Sequence, residues 1–345
     1  MALQSADYDD LVLSTLADLG RGEWTDLTTD LADHVAAREL LVKNRVKIDS
    51  GENIRLNAQT SHGNEASHVG LYAEDDVAVG NTMDQGSIPW RHTTTNWAYD
   101  RRELAMNRRP ARILSMVEEK RSSSWAALAQ LMEETFWDKP DDSSDTTTPY
   151  GIDYWLVYNA TVGFNGSLPS GFTTVGGIDS DTVTRWKNYT GNYTNVTRDD
   201  LIQTMRTACR KTAFKAPPRV NHKQPTNGST KRVIYCNDTS CQAFENYGEA
   251  QNENLGKDLA SMADVVTFKR IPIEYAEQLD ANTNLTDPIY CIDWSVFYPV
   301  FLEGEYLVET GPKQAAKQHT VSEVHVDMTW NLRCTNRRKL SVFAK

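Results

Sequence analysis

The sequence predicts an α+β protein, and three observations carry that prediction. From Val324 to Cys334 every even position is apolar or soft and every odd position is polar or charged, the period-two signature of a strand with one buried face. At ~3.3 Å per residue such a strand runs about 35–40 Å. Ala111 to Trp137, opened by Pro110 and closed by Asp138-Lys139-Pro140, places Leu114, Val117, Trp125, Leu128, Leu131, Met132 and Phe136 at steps of three and four. As a helix it runs about 40 Å, so helix and strand match in length and are expected to pack lengthwise. Between them, Arg198 to about Thr310 alternates short strand and helix signals, an α/β unit inserted into a core built from discontinuous chain.

In chain order, residues 1–50 hold ten acids and five bases and contain two amphipathic pieces, Asp9 to Leu19 and Asp26 to Val42. They read either as a helical edge of the main domain or as an arm that docks elsewhere. Short alternating runs then flank a polar middle from Arg45 to Asp100, which reads as one long hairpin. A two-stranded ribbon with few apolar residues needs a surface to lie on. That surface is expected to be another subunit, met through Trp90 and Trp97 at the ribbon base. Arg101, Arg102, Arg108, Arg109 and Arg112 crowd the approach to the long helix, while Arg337 and Arg338 stand in a C-terminal run, Met328 to Lys345, with five bases and no acid. As clusters these arginines are expected to meet acids on a neighbouring copy.

Pro140 to Thr197 is rich in turn formers, with one strand-like run from Asp153 to Tyr158. A helix from Arg198 to Lys215, a strand from Arg232 to Cys236 and a helix from Thr239 to Tyr247 follow. Strands are expected at Val265 to Phe268 and Ile271 to Tyr275, with two or three more between Pro288 and Leu307.

A chain of 345 residues with 24% charged and 39% hydrophobic content is long enough for one large or two ordinary domains. No apolar run reaches the ~18 residues of a membrane helix, so no membrane partner is expected. Met1 to Asp10 lacks the basic and apolar parts of a secretion signal, and five scattered cysteines suit free thiols in a reducing compartment. Without that signal, the eight Asn-X-Ser/Thr triplets read as Asn/Thr-rich turns, not glycosylation sites. A net charge of -11 opposes a broad grip on nucleic acid. Cys236-X4-Cys241 has no second pair at zinc spacing, His319 and His325 stand too far apart to chelate one ion, and Asp179-Ser-Asp181 is a short polar stretch of loop. No phosphate-binding, dinucleotide-binding or hydrolase motif is present, and neither cofactor nor metal is expected. Nine tryptophans and many carboxylates leave an alternative, a carbohydrate-active enzyme using paired carboxylates.

A long helix on a long strand, an inserted α/β domain, a projecting hairpin and an N-terminal arm together resemble the major capsid protein of tailed bacteriophages, whose shell fold is shared with the herpesvirus capsid floor. Pro288 to Trp294, Glu309 to Pro312, Gln318 to Asp327 and Asn331 to Arg338 are similar to the closing third of many such proteins. The resemblance implies an arm at 1–44 and an extended hairpin loop at 45–105. It implies a peripheral domain at 106–197 and 315–345, with spine helix 111–137 and long strand 321–334, and an axial domain at 198–314. The function implied is structural and non-catalytic: pentamers and hexamers of one chain tile an icosahedral head around double-stranded DNA held without sequence-specific binding. Such a head is a virion shell assembled in the host cytoplasm, with a portal and, in some cases, a cement or decoration protein. Two departures matter. No scaffold segment precedes the arm, which implies a separate scaffold protein or none, and no lysine lies between Lys47 and Lys120, which removes the loop lysine some relatives use to crosslink.

Overall fold

The computed structural model describes residues 34–42, 45–61, 68, 71, 82–106, 110–213, 231–251 and 267–345. The expected helix Asp9 to Leu19 and most of Asp26 to Val42 lie outside them. Helix α1 (Val35–Leu40) precedes strands β1 (Lys47–Asp49), β2 (Ile54–Gln59), β3 (Met83–Ile88) and β4 (Arg91–Asp100). Helices α2 (Arg101–Met106) and α3 (Pro110–Trp137) come next, then one helical turn, α4 (Ile152–Trp155), and strands β5 (Gly163–Gly166) and β6 (Asn188–Asn192). A π-helical turn at Arg198–Ile202 leads into α5 (Gln203–Thr212), followed by β7 (Arg232–Cys236), α6 (Asp238–Gln251), β8 (Thr267–Phe268) and β9 (Ile271–Tyr275). The chain closes with β10 (Ile289–Asp293), β11 (Phe297–Leu302), β12 (Val308–Glu309), β13 (Lys313–Ala315), β14 (Gln318–Cys334) and β15 (Ser341–Ala344).

The alternating stretch is the middle and end of β14, which runs for 17 residues. Val324, Val326, Met328, Trp330, Leu332 and Cys334 are buried, the face that period two predicted. One edge of β14 pairs antiparallel with β4, from Val321 opposite Asp100 to Trp330 opposite Arg91. Strands β13, β12 and β11 share the other edge in turn, and β1 joins parallel to β11. The alternation breaks at Asn331, which is fully buried. Its Oδ1 accepts from the Tyr150 and Leu332 amides at 2.9 and 2.8 Å, and its Nδ2 donates to the Pro89 carbonyl at 2.8 Å. A polar side chain survives there because every one of these bonds is internal.

Helix α3 comes nearest this sheet at β4 and not along β14 itself; small side chains allow it, with Thr95 and Ser124 hydroxyls 3.0 Å apart. Its C-terminal half buries Leu128, Met132, Phe136 and Trp137, whereas Leu131, expected on the same face, is 42% exposed. Phe136 stacks on Trp294 with ring centres 5.8 Å apart. Glu133 is buried too. Its carboxylate accepts from the Ala37 amide at 2.7 Å and the Trp137 indole at 2.8 Å, which seats α1 on α3. The described end of the expected arm therefore docks on its own subunit.

The second sheet has the order β5-β6-β15-β10-β7-β9-β8. Its membership cuts across the expected division at 198 and 314: β5, β6 and β15 lie outside that span, while β11, inside it, belongs to the long sheet. The strand-like run Asp153 to Tyr158 is another departure, since its first half is the single turn α4. A short apolar run cannot be assigned by periodicity alone.

The expected hairpin of Arg45 to Asp100 is two structures. Among the described residues β2 and β3 pair as a ribbon; at Pro89-Trp90 the chain changes sheet and continues as β4. The ribbon base does not wait for a neighbour, because Ile54, Leu56, Ala58 and Ile88 are buried within this subunit. Leu56 lies against a tight turn, Val175 to Ile178, whose central Gly176 and Gly177 have φ of 62° and 82°, a pairing that favours glycine at both positions. Gly86 lies so close to that turn that any Cβ would collide with the Gly176 carbonyl oxygen. Among the described residues no helix is long and apolar enough to cross a membrane.

Candidate inter-subunit surfaces

Arg337 does not reach a neighbour. It is fully buried, and its guanidinium donates to the Trp155 carbonyl, Ser180 Oγ and the Trp186 carbonyl, each at 2.8 Å. Asn188 Oδ1 at 3.1 Å and the carbonyls of Ser167 and Gly166 at 3.2 and 3.5 Å complete the set. Burial pulls its pKa down to about 10, which leaves it charged at neutral pH. The side chain organises the loops between α4 and β6, so the expectation of an interface contact is corrected: a planar fork of donors suits converging carbonyls as well as it suits a carboxylate. Its neighbour Arg338 is half-buried, with its guanidinium 4.0 Å from the Phe164 ring centre.

Arg101 and Arg102 open α2 at the far end of the long sheet and are exposed. Asp100 accepts from the Arg102 amide at 2.8 Å, from its Nη2 at 3.0 Å and from the Thr320 hydroxyl at 3.1 Å. Slight desolvation opposes ionisation of Asp100, but these bonds hold its pKa below the ordinary value. Lys120 meets Glu103 at 3.3 Å, and Arg121 clamps Glu309 through Nη2 and Nε at 2.6 and 3.0 Å. Together these pairs tie α2, α3, β12 and the exposed start of β14 into one charged rim. The side chain of Arg112, together with Arg108 and Arg109, lies outside the described residues.

The two tryptophans are partly buried. Trp90 donates from its indole to the Gly51 carbonyl at 2.9 Å, at the sheet change. Trp97 sits on β4 opposite Val324 and stacks on Tyr99 at 5.9 Å. Its indole N–H is enclosed without an acceptor among the described residues.

For the paired carboxylates of the enzyme alternative, the described residues offer Asp49 and Glu52 on one cleft. That cleft of about 590 Å³ beside the hairpin base, lined by Asp49, Glu52, Arg55 and Gln85, is open and polar. The buried Asp153 accepts a hydrogen bond from Tyr290, and desolvation raises its pKa to about 6. That carboxyl is closed inside the core, away from any substrate. Sequence reasoning gave Asp153, Glu133 and Asn331 no role: Asp153 stands alone in an apolar run, Glu133 adjoins Glu134 and Thr135 on a helix, and Asn331 falls on the polar phase of a strand, so only the partners brought from distant chain distinguish them.

No family model matches the chain, and no curated protein matches it in sequence. Solved structures do. The capsid asymmetric unit of cyanophage A-1(L) aligns with a TM-score of 0.67 at 13% identity, over 94% of this chain and 96% of that one. The capsid of a native GTA particle aligns at 0.54 and 12% identity, over 99% of both chains. The holo-SrpI encapsulin complex from Synechococcus elongatus aligns at 0.51 and 10% identity, over 100% and 96%. What such distant sequences share is the fold, and it extends across nearly the whole length of each aligned chain. The chain has the fold of phage capsid proteins, and the expected α+β class holds.

Proposed function

We propose that this chain is the repeating subunit of an icosahedral phage head, a non-catalytic structural protein that assembles as pentamers and hexamers around packaged double-stranded DNA. The observation that carries the reading is mutual coverage: 94% of this chain and 96% of a phage capsid subunit superpose as one fold, so no part of the described chain is left over as a separate catalytic module. In this reading the long sheet with α3 forms the periphery of each capsomer, and the seven-stranded sheet with α5 and α6 faces its centre. The β2–β3 hairpin reaches a neighbour beyond its own docked base. Arg101, Arg102 and Arg338 with Trp90 and Trp97 lie on contacting surfaces, and the net charge of -11 keeps the wall from holding DNA tightly. A separate scaffold protein, a portal and a cement protein are partners the same reading brings, with assembly in the host cytoplasm.

Negative-stain imaging of the purified full chain, paired with sedimentation and repeated with any co-expressed scaffold, tests it. Closed icosahedra or rings of five and six are expected. A monodisperse monomer at every salt concentration, with the scaffold present, would overturn the proposal.

A further inference from the structure

One pair of side chains is not explained by shell building. Cys236 ends β7 and Cys241 lies in the first turns of α6, and their sulfurs stand 2.7 Å apart although both thiols are free. Ordinary contact between heavy atoms is about 3.5–4.0 Å, and a disulfide bond is ~2.05 Å. The approach is built by the backbone. Asn237, between strand and helix, accepts from the Ser240 amide at 3.1 Å through Oδ1 and from the Cys241 amide at 3.0 Å through its carbonyl. Its Nδ2 donates to Asp287 at 2.8 Å. The strand end and the helix start are thereby held at a fixed angle, with the sulfurs facing.

The two thiols differ in access and in charge. Cys236 is buried and Cys241 is half-exposed. The hydrogen bond between the sulfurs favours the thiolate at Cys241 and disfavours it at the more deeply buried Cys236; Asp280 and Glu245 oppose ionisation of either sulfur, and Asp238 that of Cys241. Cys291 and Cys334 are fully desolvated, and burial pushes each up to about 12. A position at a helix start and a proton donor in contact are the features that make a thiol reactive. Among the described residues no group of three or more His, Cys, Asp or Glu side chains is placed to hold a metal ion.

We propose that Cys236 and Cys241 form a redox-active dithiol that closes to an intrasubunit disulfide in an oxidising medium, stapling the end of β7 to the first turns of α6. The oxidant class is a small disulfide. The Cys241 thiolate attacks oxidised glutathione, forming a mixed disulfide and releasing one glutathione thiolate. Cys236 passes its proton to that leaving thiolate and attacks the Cys241 sulfur, displacing the second glutathione thiolate, which takes a proton from water as Cys241 gave one. Two thiols are oxidised, one glutathione disulfide is reduced to two thiols, and no other reactant is needed. The biological setting rests on the shell reading: a subunit made in a reducing cytoplasm keeps the dithiol open, and a released particle meets conditions that close it.

The test uses the full-length protein, both as dissociated subunits and as shells, treated with oxidised glutathione, quenched with acid, alkylated and mapped. Free thiols should fall from five by two, with the peptide 233–257 unalkylated and lighter by about 2 Da than its reduced form, and dithiothreitol should restore them. Cys241→Ser should keep its remaining thiols free under the same treatment. Oxidised wild type should melt higher than reduced wild type by roughly 3–6 °C, a shift absent from Cys241→Ser. Full alkylation of both cysteines after oxidation, a glutathione adduct on Cys241 that never resolves, or two thiols lost from Cys241→Ser would each overturn the dithiol. Because the dissociated subunit reports the chemistry alone, a failure to form shells leaves that result intact and counts only against the shell reading.

Discussion

Arg337 and Arg102 carry the same guanidinium into opposite surroundings. Arg337 is sealed in the core with six protein acceptors and no carboxylate, whereas Arg102 lies on the surface and shares Asp100 with Thr320. One arginine is committed entirely to its own subunit. The other sits on a rim where a second copy can compete for it. A basic residue in a basic run is therefore not enough to mark an interface; what decides is whether carbonyls converge on it from within the fold.

Removing Arg337 should have the largest effect. Arg337→Ala leaves the Trp155, Trp186 and Ser167 carbonyls desolvated without donors, and should lose about 3–5 kcal/mol in a urea melt. Arg337→Lys should recover little of it, because a single ammonium cannot serve acceptors spread around a planar fork. Equal melts for Arg337→Lys and wild type would show the hub to be a simple buried charge. Gly86→Ala comes next, at roughly 1–3 kcal/mol: its methyl collides with the Gly176 carbonyl and must push the hairpin off the Val175–Ile178 turn. Its stability loss should come with a larger loss of closed shells, read by imaging.

Local period made the frame legible in advance. Strands β14, β7 and β9 and helices α3 and α6 were expected close to where they lie, since alternation and helical steps survive in any context. Non-local pairing was not legible. Strand β4 looked like the second half of a ribbon because its alternation says nothing of its partner, which is β14, more than two hundred residues away. The seven-stranded sheet borrows β15 from the C-terminus, where four residues carry no sign of destination. Arg337, Arg338 and Lys339 form one basic cluster in sequence, yet Arg337 and Lys339 are buried and only Arg338 is half-exposed.

Asp153 sharpens the core side of the contrast, as a buried charge with a cost where Arg337 is one with full support. Desolvation raises its pKa to about 6, against ~3.9 in an unfolded chain. Between these values the folded state binds more protons than the unfolded one, so stability should fall as pH rises from about 4 to 6 and then level off. The whole penalty is present above pH 6, on the order of 3 kcal/mol. Asp153→Asn keeps an acceptor for Tyr290 and should flatten that window, with the variant melting higher than wild type at pH 7 and equal to it at pH 4.

The smallest effect on the subunit is expected at the rim. Arg101→Glu with Arg102→Glu touches exposed side chains, so the melt of the dissociated subunit should stay within about 0.5 kcal/mol of wild type. Assembly should not stay the same. Two reversed charges beside Asp100 and Glu103 concentrate negative potential where a neighbouring acidic copy must approach, and salt shortens the reach of that repulsion from about 30 Å at 0.01 M to 3 Å at 1 M. Shell yield should therefore drop most at low salt and recover as salt rises. An unchanged yield at every salt would place this rim outside the contacts between copies, while an unchanged subunit melt would still separate it from the Arg337 hub.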